Sequence, residues 1–176
     1  MAGVTQDLPY RIASLCYLFD ARGRVLLLHR HKQPNLDLYS PIGGKLEQAR
    51  GESPTSCAIR EIAEETGLQV TEKDLHLTGI VSEQAYNDQG HWLMFLYEVL
   101  GPVEVVCRQF DEGALAWHEP SALEHLAIPQ TDRQIIWPLF WAYRGRFFAA
   151  HIDCRGGQLN WRIEQPGGES QTPQAS

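Results

Sequence analysis

The sequence lacks long apolar runs and a recognisable leader. Its longest apolar segments are strand-sized, such as Val25–Leu28, whereas a membrane-spanning helix needs about 18 to 20 consecutive apolar residues. Met1–Leu8 has neither the basic nor the apolar stretch of a secretory signal. We therefore expect no membrane partner and residence in the cytoplasm.

Positive charge and cysteine are also scarce. The chain has 15 Lys plus Arg against 22 Asp plus Glu, a formal net charge of −7. Proteins that bind long nucleic acids concentrate Lys and Arg on one surface, so such a partner is not expected. The four cysteines are far apart, with no Cys-x-x-Cys pair and no histidine at metal-ligand spacing. They are expected to be reduced thiols, most of them buried.

The length and composition fit one domain. With 176 residues, 43% of them apolar, the chain can bury a core without a disulfide or a structural metal. Any metal would therefore be functional. We predict a flexible N-terminus at residues 1–9, a single domain at 10–165 and a disordered tail at 166–176, where no residue can anchor a core. The oligomeric state stays open.

Strand and helix patterns alternate along the chain, which predicts one α+β or α/β layered domain. The first two predicted strands read as a hairpin, the fourth and fifth as an antiparallel pair and the last two as a closing hairpin. Helices are predicted at Ser53–Thr66, with Ser53 as cap and Gly67 just past the end, at Ser121–Leu126, and at Asp132–Tyr143 with a kink or break at Pro138. The predicted strands are Arg11–Phe19, Arg24–Arg30, Leu38–Ile42, Leu75–Gln84, Trp92–Val99, Ala114–Trp117, Arg146–Asp153 and Leu159–Gln165.

Three glutamates share one face of the helix predicted at 53–66. At 100° per residue, Glu64 and Glu65 lie about 60° and 40° to either side of Glu61. One interpretation is a solvated charged face. Against it, the helix dipole opposes negative charge in the last turns by about 0.3 to 1 kcal/mol each, and only Arg60 offsets the mutual repulsion. The arrangement indicates a counter-ion, and hard oxygen ligands suit Mg²⁺ or, as a substitute, Mn²⁺.

These residues complete a pattern that begins upstream. Gly44, Glu52, Arg60-Glu61-Ile62, Glu64-Glu65 and Gly67-Leu68 resemble the Nudix box, the signature of Mg²⁺-dependent hydrolases that cleave nucleoside diphosphates linked to another moiety. The second half fits without exception. Seven residues separate Gly44 from Glu52 where the family pattern has five, so Gln48–Arg50 looks like the site of a two-residue insertion.

The resemblance covers about residues 10 to 165 and implies an α+β fold, an α/β/α sandwich with a central mixed β-sheet flanked by helices and a C-terminal hairpin. It implies that Glu61, Glu64 and Glu65 bind metal together with the carbonyl of Gly43. It further implies that Arg60 orients a glutamate by ion pairing, that Glu52 supports the site or binds a further metal, and that a later glutamate completes it. Glu112 is the candidate, the alternative being a surface loop acid.

Features outside the box resemble the branch that sanitises oxidised purine nucleoside triphosphates. They are Arg30, Ser40-Pro41-Ile42, Trp117, Ile128–Asp132 and Trp137-Pro138. Among these features, Arg30 would neutralise the charge of a substrate phosphate, unless it is only a strand-end arginine in solvent. Asp132 would accept hydrogen bonds from a purine, unless it is only a helix N-terminal charge, and Tyr39 or Trp117 would stack on the base. Ser40 is placed in the same substrate-binding set.

Three functions follow from the resemblance. The first is Mg²⁺-dependent hydrolysis of a nucleoside triphosphate to monophosphate and pyrophosphate, with 8-oxo-dGTP as one candidate substrate and Glu64 or Glu112 as base. The second is hydrolysis of another diphosphate such as ADP-ribose. It ranks lower because no proline lies between Leu68 and Gly101 and the segment before Tyr10 is short. The third, a sensor without hydrolysis, is disfavoured because all three box glutamates are present.

Overall fold

Two β-sheets and two α-helices make up the computed structural model, which describes residues 8–166. The strands are β1 Tyr10–Tyr17, β2 Val25–Arg30, β3 Tyr39–Ser40, β4 Ile42–Lys45, β5 Leu75–Tyr86, β6 Gly90–Val99, β7 Gln109–Phe110, β8 Gly113–His118, β9 Phe148–Asp153 and β10 Asn160–Gln165. The helices are α1 Pro54–Thr66 and α2 Trp137–Ala142. Of the segments predicted to be flexible or disordered, residues 1–7 and 167–176 lie outside the described part.

The larger sheet has the strand order β10-β9-β5-β6-β1-β4 and is mixed. β1 runs parallel to β6 and β5 runs parallel to β9, while the other neighbours are antiparallel. The smaller sheet has the order β3-β2-β8-β7 and is antiparallel. The predicted antiparallel pair β5–β6 and the closing hairpin β9–β10 are confirmed.

Helix α1 forms as its sequence predicts. The Ser53 hydroxyl accepts a hydrogen bond from the Ser56 N–H at 3.1 Å, and Pro54 occupies the first turn, where a missing N–H costs nothing. Gly67 ends the helix at φ 80°, a left-handed conformation that favours glycine. Cys57, Ala58 and Ile62 are buried, and the helix packs on β1 and β4. Of the glutamates of this helix, Glu65 is buried as well, whereas Glu64 is exposed.

The second helical region confirms the helix predicted at Asp132–Tyr143, but its irregularity precedes Pro138, where the sequence predicts a kink or a break. Asp132–Ile136 form a π-helical turn, in which the Trp137 N–H donates to the Asp132 carbonyl, and α2 follows. Pro138 lies in the first turn of α2, so its missing N–H breaks no hydrogen bond of that helix. Phe140 stacks on Tyr17 with ring centroids 4.2 Å apart. The predicted helix Ser121–Leu126 is a 3₁₀ turn at Pro120–Glu124.

The predicted hairpin between the first two strands forms only at its turn, through an antiparallel bridge between Phe19 and Val25 and a hydrogen bond from the Leu26 N–H to the Leu18 carbonyl at 3.0 Å. Beyond the turn the strands separate: β1 pairs with β4 and β6 in the larger sheet, whereas β2 pairs with β3 and β8 in the smaller one. Residues 25–28 are fully buried on both faces, which suits a strand between two layers rather than one arm of a surface hairpin. Pro41 likewise divides the predicted strand Leu38–Ile42 into β3 and β4, which belong to different sheets.

Two apolar clusters hold these layers together. One joins α2 to β1, β5 and β9 through residues such as Tyr17, Phe140 and Phe148, and the other joins α1 to the second face of β1 and to β2. All four cysteines are free: Cys16 and Cys57 are buried, Cys154 is partly buried and Cys107 is exposed. Within residues 8–166, no helix has both the length and the hydropathy needed to cross a bilayer.

Candidate active site

A cavity of about 480 Å³ opens beside the acidic face of α1. Strands β4, β5 and β6, the segment after β2 and the start of the π-helical turn supply its wall. Two groups of carboxyl side chains line it together with several cations. The lining includes Arg30, Lys32, Ser40, Gly43, Gly44, Lys45, Arg60, Glu61, Glu64, Glu83, Tyr86, Trp92, Glu112, Thr131 and Asp132.

Glu65 is the most deeply buried glutamate of α1, with 3% of the residue exposed. Its Oε2 accepts a hydrogen bond from the Gly43 N–H at 3.1 Å, while Oε1 has no partner among the described residues. Burial raises the pKa of this carboxyl to about 8, and the charges of Glu61 and Glu112 add to the shift. A buried carboxylate oxygen without a donor is costly, so this oxygen is available to a cation.

Arg60 holds three carboxylates on the surface of α1. Its guanidinium donates to both oxygens of Glu52 at 2.8 and 2.9 Å, to Glu61 at 2.7 Å and to Glu64 at 3.2 Å. These bonds raise the pKa of Arg60 and lower that of Glu52 to about 2. Arg60 therefore contacts three glutamates, and Glu52 is the one that receives two hydrogen bonds from it.

The two additional residues before Glu52 form a compact turn. Gln48–Arg50 adopt a 3₁₀ turn that Gly51 closes at φ 66°. The Glu47 N–H donates to Glu52 Oε2 at 2.8 Å, so the turn itself orients the carboxylate toward Arg60. The longer loop thus leaves the contacts between Glu52 and the helix intact.

Glu61 interacts electrostatically with Glu64 and Glu112, which line the cavity with it, and with the buried Glu65. Glu64 is exposed over 59% of its side chain, and Glu112 is exposed and lies at the turn before β8. Burial raises the pKa of Glu61, and the charges of Glu64 and Glu112 raise it further. The structure therefore brings the loop glutamate Glu112 to the glutamates of α1, although about 50 residues separate them in the chain.

The donor set of this group fits a hard divalent cation. Glu65 offers a buried oxygen without a partner, and Glu61 lies directly against the backbone of Gly44, where a Cβ would overlap its carboxylate. In residues 8–166 no three His, Cys, Asp or Glu side chains already surround a common point. The contacts of Arg60 with Glu61 and Glu64 explain this, because they direct two of the carboxylates toward the guanidinium. Glu61, Glu64, Glu65 and Glu112 are the residues that would hold the ion.

The structure places only some of the predicted substrate residues at the cavity. Arg30, Ser40 and Asp132 line it, whereas Tyr39 and Trp117 do not. The Tyr39 ring packs between His29 and His118, with centroid distances of 4.7 and 4.9 Å. The Trp117 indole donates to the Val105 carbonyl at 3.2 Å. Both rings are occupied by contacts with the smaller sheet and its flanking segments, so neither is placed to stack on a base.

Two aromatic side chains that the prediction does not include, Tyr86 and Trp92, line the cavity. Trp92 lies on β6, and Arg11 and Lys45 approach its ring at 5.5 and 5.9 Å from the centroid. Lys45, Arg30 and Lys32 give the cavity three cations besides Arg60. The sequence pattern does not single out Trp92, Lys32 or Lys45, because one tryptophan in a strand or one lysine in a loop carries no distinctive spacing.

Glu83 is a second residue that the sequence prediction does not include. It is 3% exposed, lines the cavity from β5 and has an unpartnered Oε1. Burial raises its pKa to about 7. The alternation of residues along the strand could have identified Glu83 from the sequence, since Val81, Glu83 and Ala85 are all buried on one face of β5. A carboxylate at an inward strand position is unusual enough to mark a site.

We expect Asp132→Asn to flatten the pH dependence of stability. Burial and the nearby charge of Glu83 raise the pKa of Asp132 to about 8, so the folded protein keeps a proton that the unfolded chain releases near pH 4. Between about pH 4 and 8 the folded state binds more protons than the unfolded chain. The contribution of Asp132 to the free energy of unfolding therefore falls as pH rises toward 8. Between about pH 5.5 and 7.5 the wild type should lose roughly 2 kcal/mol more than the variant in urea unfolding.

The control for this measurement is Asp88→Asn in the exposed turn between β5 and β6. That variant should follow the wild-type pH profile. If Asp132→Asn also follows it, the buried Asp132 does not retain its proton in the folded state.

Comparison with known proteins identifies relatives of the chain. The NUDIX domain family model matches residues 9–137. The chain is 27% identical over 114 residues to the uncharacterized Nudix hydrolase YvcI of Bacillus subtilis (strain 168), covering 64% of this chain and 69% of the relative.

Two solved structures share the architecture. The mutator MutT protein from Bacillus halodurans superposes with a TM-score of 0.67 at 24% identity, over 88% of this chain and 97% of that one. The NUDIX domain of Shewanella oneidensis NrtR, complexed with ADP ribose, gives a TM-score of 0.60 at 17% identity, over 75% and 86%. These similarities confirm the predicted α+β fold with its mixed sheet.

Proposed function

We propose, since the chain belongs to the Nudix family of hydrolases, that it hydrolyses a nucleoside triphosphate to a monophosphate and pyrophosphate. Enzymes of this family generally use divalent metal ions, and Mg²⁺ is the ion proposed here. The single observation that carries the proposal is the composition of the cavity, which combines Glu61, Glu64 and Glu112, beside the buried Glu65, with three cations besides Arg60 in about 480 Å³. Carboxylates suit a metal, and the cations suit phosphate oxygens that the metal does not reach.

The proposed reaction joins a water oxygen to phosphorus and breaks a phosphoanhydride bond, so that pyrophosphate leaves. A bound divalent ion would neutralise phosphate charge and make water easier to deprotonate. Glu64 or Glu112 accepts the water proton, since both carboxylates are solvent-accessible and line the cavity. Glu61 and Glu65 are more enclosed and serve better as ligands.

The neighbouring side chains position the carboxylates and the substrate. Arg60 keeps the helix carboxylates in place through its contacts with Glu52, Glu61 and Glu64. Arg30 donates to the Pro34 carbonyl at 2.7 Å, which fixes its guanidinium beside the cavity. Arg30, Lys32 and Lys45 would bind the phosphate chain, and Asp132 would bind the base. Phosphoryl transfer depends mainly on such positioning and charge neutralisation.

Hydrolysis of ADP-ribose is the second candidate. The NUDIX domain of NrtR, whose fold this chain shares, was solved with ADP ribose, and the same carboxylate group could act on its diphosphate. The triphosphate is preferred because the cations of the cavity match a longer phosphate chain.

The test is a substrate panel with Mg²⁺ and, separately, Mn²⁺. It compares kcat/KM for the ordinary nucleoside triphosphates, 8-oxo-dGTP, ADP-ribose and dinucleoside polyphosphates, with the products identified by chromatography. We expect monophosphate and pyrophosphate from a triphosphate. A preference of at least about tenfold for 8-oxo-dGTP, roughly 1.4 kcal/mol of transition-state discrimination, would assign the sanitising role. If the release of AMP from ADP-ribose has the highest kcat/KM, hydrolysis of ADP-ribose replaces hydrolysis of a triphosphate as the proposed function.

A further inference from the structure

Two buried carboxyl groups line the cavity apart from the metal-binding glutamates. Glu83 projects from β5 and is 3% exposed, and Asp132 begins the π-helical turn and is 8% exposed. Both side chains line the same cavity, and the charge of Glu83 adds to the raised pKa of Asp132. Glu83 Oε1 has no hydrogen-bond partner among residues 8–166.

Cations line the same cavity, but among the described residues none of them shifts the pKa of Glu83 or Asp132. The titratable groups affected by the charges of Glu83 or Asp132 are Tyr17 on β1, Tyr86 on β5 and Cys154 after β9. The side chain facing Glu83 across the strand pair is Trp92 on β6, and on the other side it is Ile152 on β9. Neither carboxyl forms an ion pair within the part of the chain that the structure describes.

Such a pair is costly for the fold. Its neighbours on the inward face of β5 are Val81 and Ala85, so an apolar side chain at position 83 would be cheaper to bury. Two carboxyls without a cation hold at most about one negative charge between them near neutral pH, because their mutual repulsion favours a shared proton. The pair then offers one O–H donor and several acceptor oxygens to the cavity.

We propose that Glu83, together with Asp132, selects substrates whose nucleobase carries an exocyclic amino group, while Trp92 packs against the base. This inference rests on the proposed hydrolysis of nucleotides. An amino group donates to the carboxylate, and the O–H donor pairs with a neighbouring acceptor atom of the base. A deaminated base presents a keto oxygen at the same point and an N–H beside it, so the pair can accommodate it only by moving its proton from Asp132 to Glu83, whose pKa is the lower of the two. Buried polar groups left without a partner make such discrimination strong.

The test uses pairs of nucleotides that differ only in that group. These are ATP against ITP and CTP against UTP, measured by kcat/KM with Mg²⁺ and by calorimetric binding without metal. For at least one pair we expect the wild type to prefer the amino nucleotide by about tenfold or more. Glu83→Gln keeps the size of the side chain but replaces an acceptor by an N–H₂ donor, and it should reduce the preference to within about threefold. Asp132→Asn should reduce it in the same direction.

The control is Glu72→Gln on the exposed 3₁₀ turn before β5, which should keep the wild-type preference. Thermal unfolding verifies that each variant is folded. Two results would overturn the inference: a wild type without preference for the amino nucleotides, or a Glu83→Gln variant that weakens both members of a pair equally. If no nucleotide is hydrolysed, the proposed function fails, yet the binding preference and its loss in Glu83→Gln still decide the role of the pair.

Discussion

Glu64→Gln should lower kcat by at least about 100-fold while leaving the protein folded. The side chain is 59% exposed and its ion pair with Arg60 is a surface contact at 3.2 Å, so the substitution should change the free energy of unfolding by no more than about 0.5 kcal/mol. Loss of a general base or of a metal-binding carboxylate typically costs 10²- to 10⁴-fold in rate. The measurement is steady-state hydrolysis of the best substrate, together with urea unfolding of the same preparation.

The control is again Glu72→Gln, an exposed glutamate away from the cavity, which should retain full activity. A Glu64→Gln enzyme with near-normal kcat would exclude Glu64 as base and ligand. Glu112→Gln then becomes the decisive variant, because Glu112 is the other accessible carboxylate. If Glu64→Gln abolishes turnover but nucleotide binding persists, the residue acts on the reaction and not on recognition.

Alanine substitutions at the two adjacent glycines of β4 should have different effects: Gly43→Ala should mainly lower stability, and Gly44→Ala should mainly lower activity. Gly43 has φ 141°, and a Cβ there would overlap the Ser14 carbonyl oxygen and lie 3.0 Å from its carbon. Both obstacles are backbone of the paired strand β1, so they cannot move without breaking the sheet. We expect Gly43→Ala to destabilise the protein by about 3 kcal/mol or more and to displace the N–H that donates to Glu65.

Gly44→Ala meets a side chain and not backbone. A Cβ at this position would overlap the Glu61 carboxylate and lie 2.7 Å from its carboxyl carbon. The carboxylate can rotate away, so stability should change by less than about 1 kcal/mol, while kcat should fall by at least about tenfold because Glu61 leaves its position. Thermal unfolding and kcat measured on both variants test the contrast. Equal loss of stability in the two variants would refute it.

The α1 helix could be predicted in detail because its determinants are local. Ser53, Pro54 and Gly67 fix its ends through hydrogen bonds and backbone angles that involve only neighbouring residues. The spacing of Glu61, Glu64 and Glu65 on one face follows from the helical period alone. Local patterns therefore identify the acidic part of the site without knowledge of the remaining fold.

The pairing of β1 could not be predicted in the same way. Turn residues at Asp20–Gly23 favour a hairpin locally, but burial of residues 25–28 on both faces assigns β2 to the other sheet. The energy that decides this comes from packing between layers, which involves residues distant in sequence. The same reason explains why Tyr39 and Trp117, plausible stacking residues from their positions in the chain, contact the smaller sheet instead.

The remaining part of the site depends on distant contacts as well. Glu83 and Asp132 are about 50 residues apart, and the chain passes through β6, β7 and β8 before it returns to the same cavity. Trp92 reaches it because β6 pairs with β5 in a register that sets Trp92 opposite Glu83. A charged residue in an apolar strand is visible in the sequence, but its partner is not.

The parallel pairing of β5 with β9 has a consequence for synthesis of the chain on the ribosome. Gly79–Gln84 pair with Phe148–Asp153, so one edge of β5 stays unpaired until almost the whole domain has been translated. Contacts between segments this far apart form slowly, because a long loop must close first. The wall that carries Glu83 is therefore among the last parts to be completed, and nascent chains that end before Phe148 should be inactive and prone to associate through the open strand edge.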